Sequence, residues 1–266
     1  MKLIRISSFL FFMVCFLLSC ETVPITGRTQ LSLVSDSEVN ATSFDYYKDF
    51  LSKHKLSNNA EQTKRVKNVG INISNAVTKF FSQQGQSSRI AGYKWEFNLV
   101  EDKEVNAWCL PGGKVVVYTG ILPITKDDTG LAVVMGHEIA HAVADHGKER
   151  LSQGLLTQMG GVALSAALSQ QPAATQSLFV NAYGIGTQVG VLLPYSRLHE
   201  SEADRLGLIF MAMAGYNPNA AVGFWERMAQ TKKGSSPPEI LSTHPADQTR
   251  INNIKSYIPE AMGYRK

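Results

Sequence analysis

With 266 residues and a hydrophobic fraction of 44%, the chain can bury one sizeable core, and a charged fraction of 18% excludes global disorder. The formal net charge is +4, and setting aside Lys2 and Arg5, which fall in a segment read below as cleaved, leaves 24 basic against 22 acidic residues, or +2. So small a surplus, with no basic stripe interleaved with aromatics, speaks against nucleic acid or an acidic substrate as partner.

Residues 1–19 read as a signal peptide. Met1–Arg5 carries two positive charges, Phe9–Leu18 is apolar, and Leu17-Leu18-Ser19-Cys20 supplies the cleavage region. The apolar run is too short to span a bilayer comfortably. Leu-Leu-Ser-Cys resembles the bacterial lipobox, whose cysteine is lipidated. That implies a membrane attachment through Cys20, and Glu21, in place of an aspartate, points to the periplasmic face of the outer membrane in the cell envelope. Cys15 would leave with the signal, so Cys109 remains alone and no intramolecular disulfide forms. Cys109 lies in an apolar strand context and reads as a buried, inert thiol.

Residues 20–34 read as a tether. Ser37 opens a helix to about Lys53, and Asn59 caps a second from Ala60 to about Phe81, with Val66, Val69, Ile73, Val77 and Phe80 on one face. Tyr93–Val100 alternates as a strand, Val105–Leu110 follows, Pro111-Gly112-Gly113 is a turn, and Lys114–Tyr118 is a third strand, placed at the sheet edge. A helix from Asp127 or Asp128 runs through His146. Residues 151–193 are rich in Gly, Ala, Leu, Ser and Gln with almost no charge; packed soluble helices are favoured there over a membrane-embedded hairpin, because polar residues and Pro172 interrupt every apolar stretch. Helices at about Arg197–Ala214, Asn219–Gln230 and Ala246–Tyr257 complete the domain, with a flexible-looking Lys232–Pro238 between the last two and a tail at 259–266.

The chemistry centres on Gly136-His137-Glu138-Ile139-Ala140-His141. On a helix, His137 and His141 share a face one turn apart and can bind one metal ion, while Glu138 reaches a water bound to it. Burying two histidines and a glutamate among Leu131, Val133, Val134 and Ile139 needs a reason such as a metal. A third ligand is required, and His146 lies half a turn out of phase, so its expected place is structural, at the helix C-terminus. Downstream, Glu200 and Asp204 share a face of a core helix. Glu200 can ligate zinc, and Asp204 can accept the free ring N–H of His137. Glu202 points away, towards solvent, and His54 and His199 are placed at the surface. His244, Tyr195 and Arg197 are candidate donors to a developing oxyanion. His244 has three readings: transition-state donor, ligand of a latent state, or surface histidine. Arg197 more readily anchors carboxylates near the site.

Gly-His-Glu-Ile-Ala-His followed by Ser-Arg-Leu-His-Glu-Ser-Glu-Ala-Asp resembles the gluzincin metallopeptidases of the family containing HtpX and the CAAX prenyl protease Ste-type enzymes, and in particular their small soluble bacterial lipoprotein members. The likeness extends through Asn106–Leu122, Leu192–Arg197 and Leu241–Ile251. It implies one Zn2+ held by His137, His141 and Glu200, with Glu138 as base. The fold expected is α+β, predominantly helical, with a small sheet packed on the zinc-binding helix in a single domain over residues 35–258. The function expected is a zinc endopeptidase acting on unfolded or extended polypeptide, probing misfolded or misassembled envelope proteins by analogy with the family. A non-catalytic, metal-stabilised assembly lipoprotein is the alternative, against which an intact Glu138 weighs. A membrane-embedded protease using residues 151–193 is a further one.

Overall fold

The computed structural model describes residues 20–170, 173–187, 193–231 and 238–265; of Cys20 only the backbone is described. The expected signal peptide and positions 232–237 of the flexible-looking segment lie outside them. The chain divides into two compact units, one of residues 36–144 with 198–266 and one of the residues up to Ser35 with 145–197.

In the larger unit, α1 spans Asp36–Lys53 and α2 spans Ala60–Gln83. The Asn59 side chain accepts from the Gln62 amide at 3.0 Å, which starts α2, and Val66, Val69, Ile73, Val77 and Phe80 form its buried face as the period required. Three strands follow: β3 (Glu96–Val100), β4 (Ala107–Leu110) and β5 (Lys114–Tyr118), in the order β3-β5-β4. β3 pairs parallel with β5, and β4 pairs antiparallel with it. The edge position expected for Lys114–Tyr118 is therefore corrected: it is the central strand. Val115, Val116 and Val117 are consecutive and wholly buried, the pattern of a strand covered on both faces, and β4 takes the edge. The chain turns from β4 into β5 at Gly112 and Gly113, both at positive φ.

After the one-turn α3 (Leu122–Thr125), the Asp127 side chain accepts from the Gly130 amide at 2.8 Å and opens α4 (Asp128–Val143). Every residue of α4 from Gly130 on is buried, and the helix packs on α2 and β4. It stops three residues earlier than expected, because Asp145 takes a left-handed conformation (φ 58°). His146 is consequently not at the C-terminus of α4. It opens the next helix and is fully buried.

In the smaller unit, β1 (Cys20–Thr22) and β2 (Thr29–Leu31) pair antiparallel, so the expected tether contains a hairpin. It is fastened to α5 (His146–Ala167) by Arg28, which meets Glu149 with two hydrogen bonds of 2.8 and 2.7 Å, and by Lys148 with Glu21 at 2.8 Å. α6 (Ala173–Thr187) returns along α5, the Tyr183 hydroxyl donating to the Thr157 carbonyl.

The chain continues through α7 (Leu193–Met213), α8 (Ala220–Thr231), the one-turn α9 (Ile240–Thr243) and α10 (Gln248–Gly263). α10 overruns the expected boundary, absorbing Pro259 and burying Ala261, so most of the expected tail is helix. The mainly helical α+β architecture with a small sheet on the metal-motif helix is as expected.

One contact sets the approach of α4 and α7. A Cβ on Gly207 would stand 2.9 Å from the Gly136 carbonyl carbon and the His137 nitrogen, and one on Gly136 would stand 3.0 Å from the Gly207 carbonyl oxygen. The two backbones touch because neither residue has a side chain. Gly207→Ala should force the helices apart and destabilise the fold by about 1–3 kcal/mol, read as a lower denaturation midpoint at unchanged slope. An unchanged midpoint would show that the helices have room to spare.

Candidate metal centre

α4 places His137 and His141 one turn apart, their ring centroids 4.6 Å from each other. α7 brings Glu200 and Asp204 against them, and the residue after α9 brings His244. The Nε2 atom of His137 lies 3.1 Å from His141 Nε2, 3.2 Å from His244 Nδ1 and 3.3 Å from Glu200 Oε2. Glu200 Oε1 is 3.2 Å from His141 Nε2 and 2.8 Å from His244 Nδ1. One nitrogen or oxygen from each of these four residues lies within 4.8 Å of the others, a group that could hold a metal ion.

The donor chemistry fits such an ion. Three imidazoles and a carboxylate converge their lone pairs on one point, the ligand types that suit a borderline divalent cation. Glu138, 4% exposed, has an Oε1 that is buried and without a hydrogen-bond partner among the described residues, 3.6 Å from His244 Nε2. A buried carboxylate oxygen left unbonded is costly unless something polar comes to it, as a metal-held water would.

Behind the cluster, His137 Nδ1 stands 2.9 Å from Asp204 Oδ1, the partnership the helical spacing pointed to. Arg250, in the first turn of α10, meets Asp204 in bidentate fashion at 2.8 and 2.7 Å and reaches Glu200 Oε2 at 3.1 Å. Its guanidinium lies over the Trp225 ring of α8, 3.4 Å from the centroid. The Asp247 side chain caps α10 by accepting from the Arg250 amide at 2.8 Å, which fixes where the arginine starts.

Several placements differ from the sequence reading. Arg197 is exposed, and the guanidinium among the carboxylates belongs to Arg250, which no local pattern marked. Glu202 and His199, expected to face solvent, are both buried, because α7 is enclosed on nearly every side where an amphipathic helix would keep a wet face. His244 is not a free surface histidine: its ring enters the cluster. The Tyr195 side chain lies outside the described residues. Cys109, expected to be buried, is half-buried as a residue, but desolvation of its thiol pushes the pKa well above its ordinary value and the nearby Glu138 charge adds to this, in keeping with an inert thiol.

The charges are strongly coupled. Burial and the Arg250 charge push the His137 pKa down, but hydrogen bonds to Asp204 and Glu200 outweigh them and raise it to about 9. Burial pushes Glu200 up, yet its bonds to His137, His141 and His244 hold it well below the usual carboxylate range. Asp204 is likewise raised by burial and lowered by more by Arg250 and His137.

The model of peptidase family M48 matches residues 73–258. Among curated proteins, the chain is 34% identical over 248 residues to the mitochondrial metalloendopeptidase OMA1 of Schizosaccharomyces pombe, covering 92% of this chain and 68% of that protein. It is 31% identical over 269 residues to the mitochondrial metalloendopeptidase OMA1 of Bos taurus, covering 98% of this chain and 50% of that one. With the β-barrel assembly-enhancing protease of Escherichia coli it shares 25% identity over 246 residues, 90% of this chain and 47% of the relative. The chain thus spans between about half and two thirds of these relatives. The comparison also corrects the expected location. The relatives at 30% identity or more carry mitochondrial names, and the bacterial relative stands further off, so the outer-membrane placement is not upheld.

A metal ligated by His137 would have to displace a proton from it. With a folded pKa near 9 against about 6.5 for free histidine, the imidazole is protonated at neutral pH in the metal-free protein, and a protonated nitrogen cannot ligate. Zinc binding at about pH 7 should release roughly one proton, and apparent affinity should fall about tenfold per pH unit below 9. Calorimetry in buffers of different ionisation enthalpy measures both; binding without proton release would show that His137 is neutral before the metal arrives.

Proposed function

This chain belongs to peptidase family M48, whose relatives above are named metalloendopeptidases, and from that footing we propose that it is a zinc-dependent endopeptidase acting on extended or unfolded polypeptide. The observation that carries the reading is the meeting of His137, His141 and Glu200 around one point, beside a buried Glu138 oxygen with no bond of its own.

In this reading His137, His141 and Glu200 hold the ion. Bound zinc would lower the pKa of a water towards about 7 and polarise a substrate carbonyl. Glu138 takes the proton of the attacking water and returns it to the leaving amine. Asp204 holds the His137 ring in the tautomer that leaves Nε2 free to ligate, and Arg250 holds Asp204 ionised. A metal-stabilised assembly protein would need the ligands but not the base, so the orphaned Glu138 oxygen favours hydrolysis.

The open edge of the sheet is β4, which packs on α4, and not the central Lys114–Tyr118. An extended peptide pairing with β4 would run beside the metal-motif helix. That recognition uses backbone groups, which unfolded chains expose and folded ones hide. The E. coli relative is named for assisting β-barrel assembly, which favours misassembled protein as the substrate.

His244 stands inside the cluster, between Glu200 and Glu138, where on this reading it would compete with a substrate carbonyl or water for the ion. Its Nδ1 is 2.8 Å from Glu200 Oε1, close enough to complete the ligand set, so in this arrangement it acts as a latch. Of the readings open for His244, the latent ligand is the one this geometry favours.

Both roles are testable on an unfolded protein such as casein. Glu138→Gln should bind one zinc per chain and lose about 10²–10⁴ in turnover, while wild-type cleavage disappears with chelator. No cleavage by zinc-loaded wild type and by a His244→Ala variant alike would favour the binding-protein alternative. His244→Ala should raise kcat several-fold if the histidine is a latch; a fall in kcat would make it a transition-state donor instead.

A further inference from the structure

The smaller unit carries a feature the peptidase reading does not use. From Leu151 to Ser196 the chain has no charged residue, and α5 and α6 form a hairpin of this material. Several of its large apolar side chains are exposed among the described residues. On α5, Leu151, Leu155, Met159 and Val162 follow at helical spacing along one stripe, Met159 being 62% and Val162 65% exposed. On α6, Phe179 is 50% and Val180 38% exposed. Patches of this kind on a soluble surface mark a site of contact.

The rest of the unit indicates what the hairpin meets. β1 begins at Cys20, one residue after Ser19 and the apolar run Phe9–Leu18. β1 and β2 are fastened to the first turns of α5 through Glu21–Lys148, Arg28–Glu149 and the Leu33 amide, which donates to Ser152 Oγ at 2.9 Å. By its place in the chain, the segment that opens at Cys20 therefore enters the fold at the foot of the hairpin. Exposed arginines, Arg150 and Arg197, bracket the uncharged stretch and suit anionic headgroups at that level. Among the described residues no helix is long and apolar enough to cross a membrane. α6, 15 residues, is only about 22 Å long against a hydrocarbon core of about 30 Å. The turn between the helices contains Ser169 and Gln170, too polar to lead into hydrocarbon.

We propose that the α5–α6 hairpin is an interfacial lipid-binding element. It lies along a bilayer surface with the Leu151–Val162 stripe and Phe179 at the acyl boundary and the arginines at the headgroups. This would hold whichever polypeptide the metal centre acts on.

The test is amide hydrogen exchange of the full chain, with and without vesicles of phosphatidylcholine containing about a third phosphatidylglycerol. Peptides over residues 151–167 and 173–187 should exchange at least about tenfold more slowly with vesicles, while those over α2 stay unchanged. A Met159→Glu, Val162→Glu, Phe179→Glu variant, altered only at exposed positions, should keep its melting temperature and lose that protection. Hairpin exchange indifferent to lipid in the wild type would overturn the proposal. So would protection that appears without lipid and grows with protein concentration, which would assign the patch to a second copy of the chain.

Discussion

Three carboxylates, Glu138, Glu200 and Asp204, stand together inside a helical core, each less than a tenth exposed. Everything around them follows from the cost of that burial, which is prohibitive for an uncompensated charge. Arg250 supplies one positive charge, shared between Asp204 and Glu200, and draws its own compensation from the Trp225 face. That leaves an excess of two negative charges at the cluster, the charge of one divalent cation. Against burial and the Arg250 charge, hydrogen bonds to Asp204 and Glu200 raise the His137 pKa to about 9, so a proton on that imidazole would offset part of the deficit. Proton and metal are alternative solutions to one electrostatic problem, and they compete for the same nitrogen.

The compensation works only if the elements come close, and they are brought close by what the helices lack. Gly136 precedes His137 and Gly207 follows Asp204 by three residues, so the point of backbone contact between α4 and α7 lies beside the His137–Asp204 pair. A side chain there would separate Asp204 from the ring it orients. The same argument explains why α4 is buried end to end: packed on α2 and β4, it is held as a rigid strut, and rigid supports hold ligands to geometry better than loops do.

Much of this was legible in the sequence wherever the signal is local. The capping side chains of Asn59 and Asp127, the buried face of α2 and the one-turn spacing of His137 and His141 are all written within a few residues. So is the i,i+4 placement of Glu200 and Asp204 on a core helix. What was not legible depends on distant packing. Lys114–Tyr118 reads the same as an edge or a central strand until its neighbours are known, although the unbroken Val115–Val117 run leaned towards the centre. Glu202 and His199 look solvated on a helical wheel, because a wheel assumes one wet face and α7 has almost none. Arg250 was invisible as a site residue, since its partner Asp204 is 46 positions away and an arginine in the first turn of a helix is ordinary. The stop at Asp145 was missed because a left-handed aspartate leaves no clear pattern.

Arg250 has a consequence in time as well as in space. The cluster draws on segments around 137, 200 and 250, so the guanidinium that balances Asp204 and Glu200 is synthesised last. A growing chain that has emerged only as far as α7 holds the metal motif and its carboxylates but not the cation that lets them be buried together, nor His244. Asp204 and Glu200 lack their guanidinium partner until α10 folds back. Arg250 and His244 are thus the last parts of the cluster to be made, and the balance of charge around Asp204 and Glu200 waits on them.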